Sequence, residues 1–221
     1  MKLLINALIK LLCGIALLGV LVFLPAGTLN YIDGWNLLII LFVPILIMGT
    51  VLFIKAPELL KKRLNGKEKQ ATQRGVVGFS ALIFLAVFII AGLDYRFSWT
   101  RVPLTVKIVS VILFLASYAI YAEVMRENAF LSRTIEVQEN QVVVDTGLYG
   151  IIRHPMYAAT IILFLSMPLI LGSWIAFIVM LMYPLIIAIR ILNEEKVLSE
   201  QLEGYVQYKQ KVKYRIIPLI W

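Results

Sequence analysis

Three short stretches in the second half of the chain combine residue types that bind and orient ligands. The first is Gln138-Glu139-Asn140-Gln141-Val142-Val143-Val144-Asp145-Thr146-Gly147-Leu148-Tyr149. Three valines after a polar turn favour extended backbone, and Thr146-Gly147 supplies the turn that ends it. Extended backbone presents N–H and C=O groups that can read the edge of a base such as adenine, much as a neighbouring strand would. The second stretch is Arg153-His154-Pro155-Met156-Tyr157. Pro155 suits the first turn of a helix and biases His154 toward an extended conformation. The helix start that it opens has unpaired N–H groups and positive dipole character, which favour an anion such as an amino-acid carboxylate. The third stretch is Arg190-Ile191-Leu192-Asn193-Glu194-Glu195. Arg190 and Glu194 are four apart and share a helix face. Glu194 can accept hydrogen bonds from ribose hydroxyls or an ammonium group, and Arg190 can hold an anionic substrate group.

Each stretch also has a plainer reading when taken singly. A histidine before a proline is commonly a cap or an interface residue, and Arg190/Glu194 reads as a helix-surface ion pair. Tyr149 and Tyr157 fit an aromatic belt at a membrane surface. All three stretches occur in order in one half of the chain, and the elements that carry them decide whether they can meet.

Those elements are membrane helices. The chain has 221 residues, of which 61% are hydrophobic and 15% charged, with a mean hydropathy of +0.90. A soluble domain has about 45–50% apolar and about 25% charged residues, so lipid must shield the excess. Crossing a hydrocarbon core of about 30 Å takes about 20 helical residues. Segments 3–24, 35–54, 76–93 and 104–122 fit well, and 157–171 and 174–189 are shorter. Gly172 and Ser173 fold the last two into a tight hairpin. A 15-residue arm reaches only about 23 Å, so the hairpin either borrows flanking residues or is re-entrant. The expected fold is all-α and polytopic, with about six membrane segments, or five if the last hairpin is re-entrant. The apolar run at the N-terminus is longer than a signal-peptide core of about 7–15 residues and reads as a retained first span.

Net charge is +8. Lys55, Lys61, Lys62, Arg63, Lys67, Lys69 and Arg74 lie between the second and third spans, whereas 25–34 has no Lys or Arg and 94–101 has only Arg96 and Arg101. The Lys/Arg bias places the 55–74 loop in the cytoplasm. Alternation then places the N-terminus, the 123–156 segment and the C-terminal tail on the same side. Basic residues that flank apolar spans point to anionic lipid headgroups rather than nucleic acid. Cys13 lies inside an apolar run and suggests neither a disulfide nor a metal site. Residues 1–122 read as a four-span scaffold. Residues 123–221 hold nine of the thirteen acidic residues and the one histidine, and intramembrane or juxtamembrane polar groups of this kind mark functional sites. A transporter would call for ionisable residues within spans and internal repeats. No repeat is visible, and Lys10 and Lys107 can snorkel to an interface. A non-catalytic scaffold remains an alternative of another class, and a reductase of similar architecture lacks support from any Gly-rich phosphate loop.

Together the motifs resemble the isoprenylcysteine carboxyl methyltransferase family and its relatives, the phospholipid methyltransferases. The likeness runs over roughly residues 134–218. It comprises Gly147-x-Tyr149, Arg153-His154-Pro155-x-Tyr157, Arg190-x-x-x-Glu194-Glu195 and the tail Tyr205-x-x-Tyr208-x-x-x-Val212-x-x-Arg215-x-x-Pro218. Trp35 and Ala56-Pro57-Glu58-Leu59-Leu60 resemble bacterial members more weakly. The resemblance implies an integral protein of a bacterial cytoplasmic membrane. It implies S-adenosyl-L-methionine bound in a pocket at the cytosolic face, partly enclosed by the last two segments and the tail. The implied cofactor contacts are Gln138, Gln141, Val142, Val143, Val144, Tyr149, His154, Pro155, Met156, Tyr157 and Glu194. Arg190 is implied as the catalytic, substrate-facing arginine, and no metal is implied. The chain departs from the pattern at Ala159, where the motif usually has Gly, and at Gln141, where the eukaryotic enzymes have His. The interval from Gln138 to Gln141 is also shorter.

The implied reaction is transfer of a sulfonium methyl to a lipophilic acceptor that arrives laterally from the bilayer. Carboxyl O-methylation of a prenylated cysteine is the leading form, with phospholipid N-methylation and small-thiol S-methylation as alternatives. A carboxylate acceptor needs no general base, whereas an amine or thiol must lose a proton. The base is unassigned, because the resemblance puts His154 against the cofactor.

Overall fold

The computed structural model describes residues 2–64, 71–132, 135 and 137–221. Lys67 and Lys69 of the basic loop lie outside the described residues, as does the side chain of Arg74. The fold is all-α, with helices α1 (Lys2–Ala26), α2 (Ile32–Lys55), α3 (Pro57–Leu64), α4 (Ala71–Phe97), α5 (Leu104–Glu127), α6 (Pro155–Ile170), α7 (Trp174–Met180), α8 (Met182–Gln201) and α9 (Tyr205–Lys211). Among the described residues there is no strand, so the Val142–Val144 stretch is irregular rather than paired in a sheet.

Five helical segments are long and apolar enough to cross a membrane: Lys2–Ala26, Ile32–Lys55, Gly75–Phe97, Leu104–Glu127 and Trp174–Gln201. Their outward faces carry exposed apolar side chains such as Leu12, Leu24, Ile39, Leu104 and Leu185, which only lipid can cover at this density. The chain is an integral, multi-pass membrane protein. The sixth expected segment, α6, has 16 residues and a length of about 24 Å. The final segment is longer than the sequence suggests. Leu181 keeps right-handed helical geometry between α7 and α8, so the rod continues for 28 residues to Gln201. Arg190, Glu194 and Glu195 therefore sit within a helix that goes on, not at its end.

Helix α5 packs along α6, α1 along α4, and α4 against α7. The α1–α4 approach depends on Gly92: a Cβ there would lie 2.7 Å from the carbonyl oxygen of Val22. Small residues permit this kind of backbone proximity between membrane helices.

The two ends of the bundle differ. At one end, Asp94 is 1% exposed. Its carboxylate accepts hydrogen bonds from Thr100 N (2.7 Å), Thr100 Oγ1 and Ser173 Oγ. The Tyr31 hydroxyl donates to Leu171 O, and Lys107 pairs with Asp33. Lys107, in the first turn of α5, thereby joins α5 to α2. Trp99 and Trp174 flank this end. At the opposite end lie α3, the described residues between α5 and α6, the C-terminal half of α8 and α9; Arg63 of α3 joins the first two through Nη1, which donates to Ser132 O at 3.4 Å.

Replacing Asp94 with Ala leaves three donors without their buried acceptor. The expected loss is about 3 kcal/mol, visible as a lower thermal midpoint of the purified protein in detergent. An unchanged midpoint would show that the end network does not hold α4 to the α6–α7 turn.

Candidate functional site

The segment that leaves α5 is shaped by local hydrogen bonds. Asn128 caps the helix: its N–H donates to Val124 O, its Oδ1 accepts from Phe130 N, and its Nδ2 donates to the Tyr149 hydroxyl at 3.0 Å. A tight turn follows at Gln138–Gln141. Gln141 N donates to Gln138 O, Gln138 N donates to Gln141 Oε1, and Asn140 adopts a left-handed φ of 57°. The Gln138 amide donates to Phe130 O. Val142–Val144 then runs alongside the tail, with Val143 packed against the cluster of Leu202, Tyr205, Tyr208 and Val212.

At Gly147 the backbone has a φ of +51°, and a Cβ would fall 1.3 Å from Glu127 Oε1. Both the conformation and the space demand glycine. The same carboxylate accepts from Leu148 N at 3.1 Å, which anchors the short 3-10 turn Gly147–Gly150 to the end of α5. Burial pushes the Tyr149 phenol up to about 12, so it stays protonated at neutral pH.

The Arg153-His154 pair is docked onto the tail by its backbone. Arg153 N donates to Tyr214 O (2.9 Å) and His154 N to Arg215 O (2.8 Å). The side chains converge on Glu195, which is 3% exposed. Arg153 Nε lies 2.7 Å from Glu195 Oε1, His154 Nε2 lies 3.2 Å from the same oxygen, and Arg215 Nε lies 3.0 Å from Oε2. Arg153 Nη1 also donates to Val212 O at 2.6 Å. Pro155 opens α6 as its spacing predicts.

One residue earlier on α8, Glu194 faces the other way. Its Oε2 accepts from the Tyr157 hydroxyl at 2.5 Å, and that hydroxyl accepts from Arg190 Nε at 2.9 Å. The shared helix face read from the sequence therefore becomes a three-residue relay with a phenol in the middle.

These pieces enclose one cavity of about 840 Å³, its open mouth included. Gln141, Val142, Val143, Val144, Tyr149, His154, Pro155, Met156, Tyr157, Arg190 and Glu194 all line it. Gln138 does not; it braces the loop behind them. A second cleft of about 940 Å³ lies between α4 and α8, walled by Val76, Phe84, Tyr183 and Ile187. The two share Ser132, Met156, Tyr157 and Arg190 as a common wall. Arg63, whose guanidinium stacks 5.3 Å from the Tyr121 ring centre, stands beside that wall.

The sequence pattern of the phospholipid methyltransferase family matches residues 105–203, which carry α5, the loop, α6, α7 and α8. The chain is an S-adenosylmethionine-dependent methyltransferase. No curated protein matches it significantly. The matched span holds every residue named above as lining the first cavity and stops one residue short of the tail helix α9.

Four residues around this cavity are given no role by the motifs. Glu195 is indistinguishable from Glu194 by type; only the helical register, about 100° per residue, sends one to the cavity and the other to Arg153. Asn128 has no motif around it. Tyr205 and Tyr208 are three apart on α9 and share a face, a spacing that is visible in the tail motif but silent about what they touch. Tyr208 donates its hydroxyl to Tyr149 O at 2.7 Å.

Glu195→Gln should leave Arg153 and Arg215 beside a neutral amide and cost about 3–5 kcal/mol, as expected when a buried ion-pair network loses one member. A thermal melt of the variant against wild type checks this, and equal midpoints would remove Glu195 as the anchor of the site.

Proposed function

We propose that the methyltransferase binds S-adenosylmethionine in the first cavity and methylates the amine headgroup of a phospholipid that reaches it through the second cleft. The observation that carries this reading is the phospholipid methyltransferase match over the residues that line the cavity. The bundle end that holds the site also carries Lys55, Lys61, Lys62, Arg63, Lys196, Lys209, Lys211 and Arg215. By the Lys/Arg bias this is the cytosolic face, with both termini on the same side.

The residues fit such a cofactor. The cavity combines an apolar wall (Val143, Leu198, Leu202) with acceptors and donors (Glu194, Tyr149, Arg190), the mixture that a nucleoside joined to an amino acid requires. In this reading Val142–Val144, with Gln141, takes the adenine edge. Tyr149, His154, Pro155, Met156 and Tyr157 form the floor, and Glu194 accepts from the sugar or the ammonium group. Gln138 acts from behind by holding the Gln141 turn. When bound, the cofactor supplies an activated methyl on a positively charged sulfur. The protein's task is to align donor and acceptor and to exclude water.

Arg190 stands on the wall common to both cavities and is suited to hold the acceptor's anionic group there, with Tyr157 fixing its orientation. His154 turns its Nε2 to Glu195 and serves as a strut rather than a base. The bound cofactor would supply its methyl to the neutral form of the amine, with Glu194 holding the cofactor and Arg190 the acceptor's anionic group, and the methylated amine would lose its extra proton to solvent on release.

The tail beyond the matched span favours a second reading. Tyr205-x-x-Tyr208 and Arg215-x-x-Pro218 resemble the isoprenylcysteine carboxyl methyltransferases, whose acceptor is a carboxylate. Purified enzyme in lipid, given methyl-labelled S-adenosylmethionine, should label phosphatidylethanolamine and leave a prenylcysteine analogue unlabelled. The reverse result would install the carboxyl reading, and no cofactor binding by wild type would end both.

Two variants separate the roles. Glu194→Ala should weaken cofactor binding about tenfold. Arg190→Ala should lower kcat about a hundredfold while cofactor affinity stays within a factor of about three. Equal cofactor affinity in wild type and Glu194→Ala would remove that residue from the cofactor site.

A further inference from the structure

Among the described residues, the Tyr205 hydroxyl oxygen is the one buried side-chain oxygen or nitrogen without a hydrogen-bond partner. Tyr205 is 4% exposed and lines the cavity. A buried hydroxyl left unpaired is costly, and its neighbours are paired. The Tyr208 hydroxyl, one helical turn on, donates to Tyr149 O, and Tyr149 takes a hydrogen bond from Asn128. The neighbouring hydroxyls on this wall are paired, yet the Tyr205 hydroxyl is held without a partner on a residue that lines the cavity.

What could meet it there is constrained by the surroundings. Tyr205 packs with Leu202, Val143 and Leu198, an apolar wall that suits a nucleoside better than a charged amino-acid group. Glu194 lies on the same cavity, and the carboxylates of Glu195 and Glu194 both act on the phenol. Burial, reinforced by those two carboxylates, pushes the phenol well above its ordinary range. It stays protonated and can both donate and accept.

We infer that the Tyr205 hydroxyl is a cofactor-binding group that hydrogen-bonds the nucleoside half of S-adenosylmethionine, beside Glu194. This rests on the proposed cofactor cavity and extends it to α9, a helix beyond the family match, which ends at residue 203. Tyr205 is then a specificity element supplied by the tail.

Because the hydroxyl makes no hydrogen bond within the protein, Tyr205→Phe deletes a ligand contact and nothing structural. The test uses the full chain in lipid nanodiscs and calorimetric binding of two probes, S-adenosylmethionine and 5′-methylthioadenosine, which has the nucleoside but no amino-acid group. Tyr205→Phe should weaken both by a similar factor of about three to ten, with the ligand-free melting midpoint unchanged. Tyr208→Phe, which breaks a bond to Tyr149 O, should lower that midpoint. If wild type binds S-adenosylmethionine and Tyr205→Phe binds it equally well, the inference falls while the cofactor cavity stands. Weakened S-adenosylmethionine with unchanged 5′-methylthioadenosine would overturn the nucleoside contact. A lowered ligand-free midpoint in Tyr205→Phe would overturn it in favour of a structural role. If wild type binds neither probe, the cavity reading itself fails.

Discussion

The carboxylate of Glu195 organises the polar end of this protein. It is almost fully buried and is met by two guanidinium groups and an imidazole. They come from two places in the chain, Arg153 and His154 from the approach to α6 and Arg215 from the tail, and meet Glu195 on α8. A lone buried carboxylate is expensive in a low-dielectric setting, and its cost falls only when all its partners are present with good geometry. The three segments are thus obliged to meet at one point. Backbone hydrogen bonds from Arg153 and His154 to residues 214 and 215 set the same register independently. With that point fixed, the neighbouring residue on α8, Glu194, has no choice but to face the cavity, and Tyr157 and Arg190 align on it.

The scaffold obeys a different rule. Along α1, α2, α4 and α5 the outward faces are apolar and exposed, and helix contact depends on fit rather than charge, as at Gly92 against Val22. Polar pairing returns at the far end, where Asp94 and the Asp33–Lys107 pair bind the loops and the α6–α7 turn. The short α6 is therefore held at both ends: by Pro155 and the Glu195 cluster at one, and by Leu171 and Ser173 at the other.

Much of this was legible in the residues. The length and hydropathy of the spans forecast the long helices to within a few positions, because lipid leaves backbone no alternative to internal hydrogen bonds. The motifs around Tyr149, His154 and Glu194 converge on one cavity in the structure. Three features were not legible, each for a physical reason. Hydropathy falls after Ile189, where Arg190, Asn193, Glu194, Glu195 and Lys196 begin, so the last span looked shorter than the helix that runs on to Gln201. Residue type does not separate Glu194 from Glu195, since only the helix register decides which one meets two arginines. Pairings such as Asp33 with Lys107 join residues far apart in sequence, and nothing local announces them. Gln138 shows the converse: the motif includes it, yet it acts by shaping the loop.

The docking of the tail has a consequence for how the protein is made. Translation proceeds from the N-terminus, and the spanning helices are threaded into the bilayer in that order. Residues 202–215 follow all of them, and they provide Tyr205, Tyr208 and the Arg215 that completes the Glu195 cluster. Until those residues leave the ribosome, Arg153 and His154 have no tail backbone to dock on. The Glu195 cluster is therefore the last part of the fold that can close.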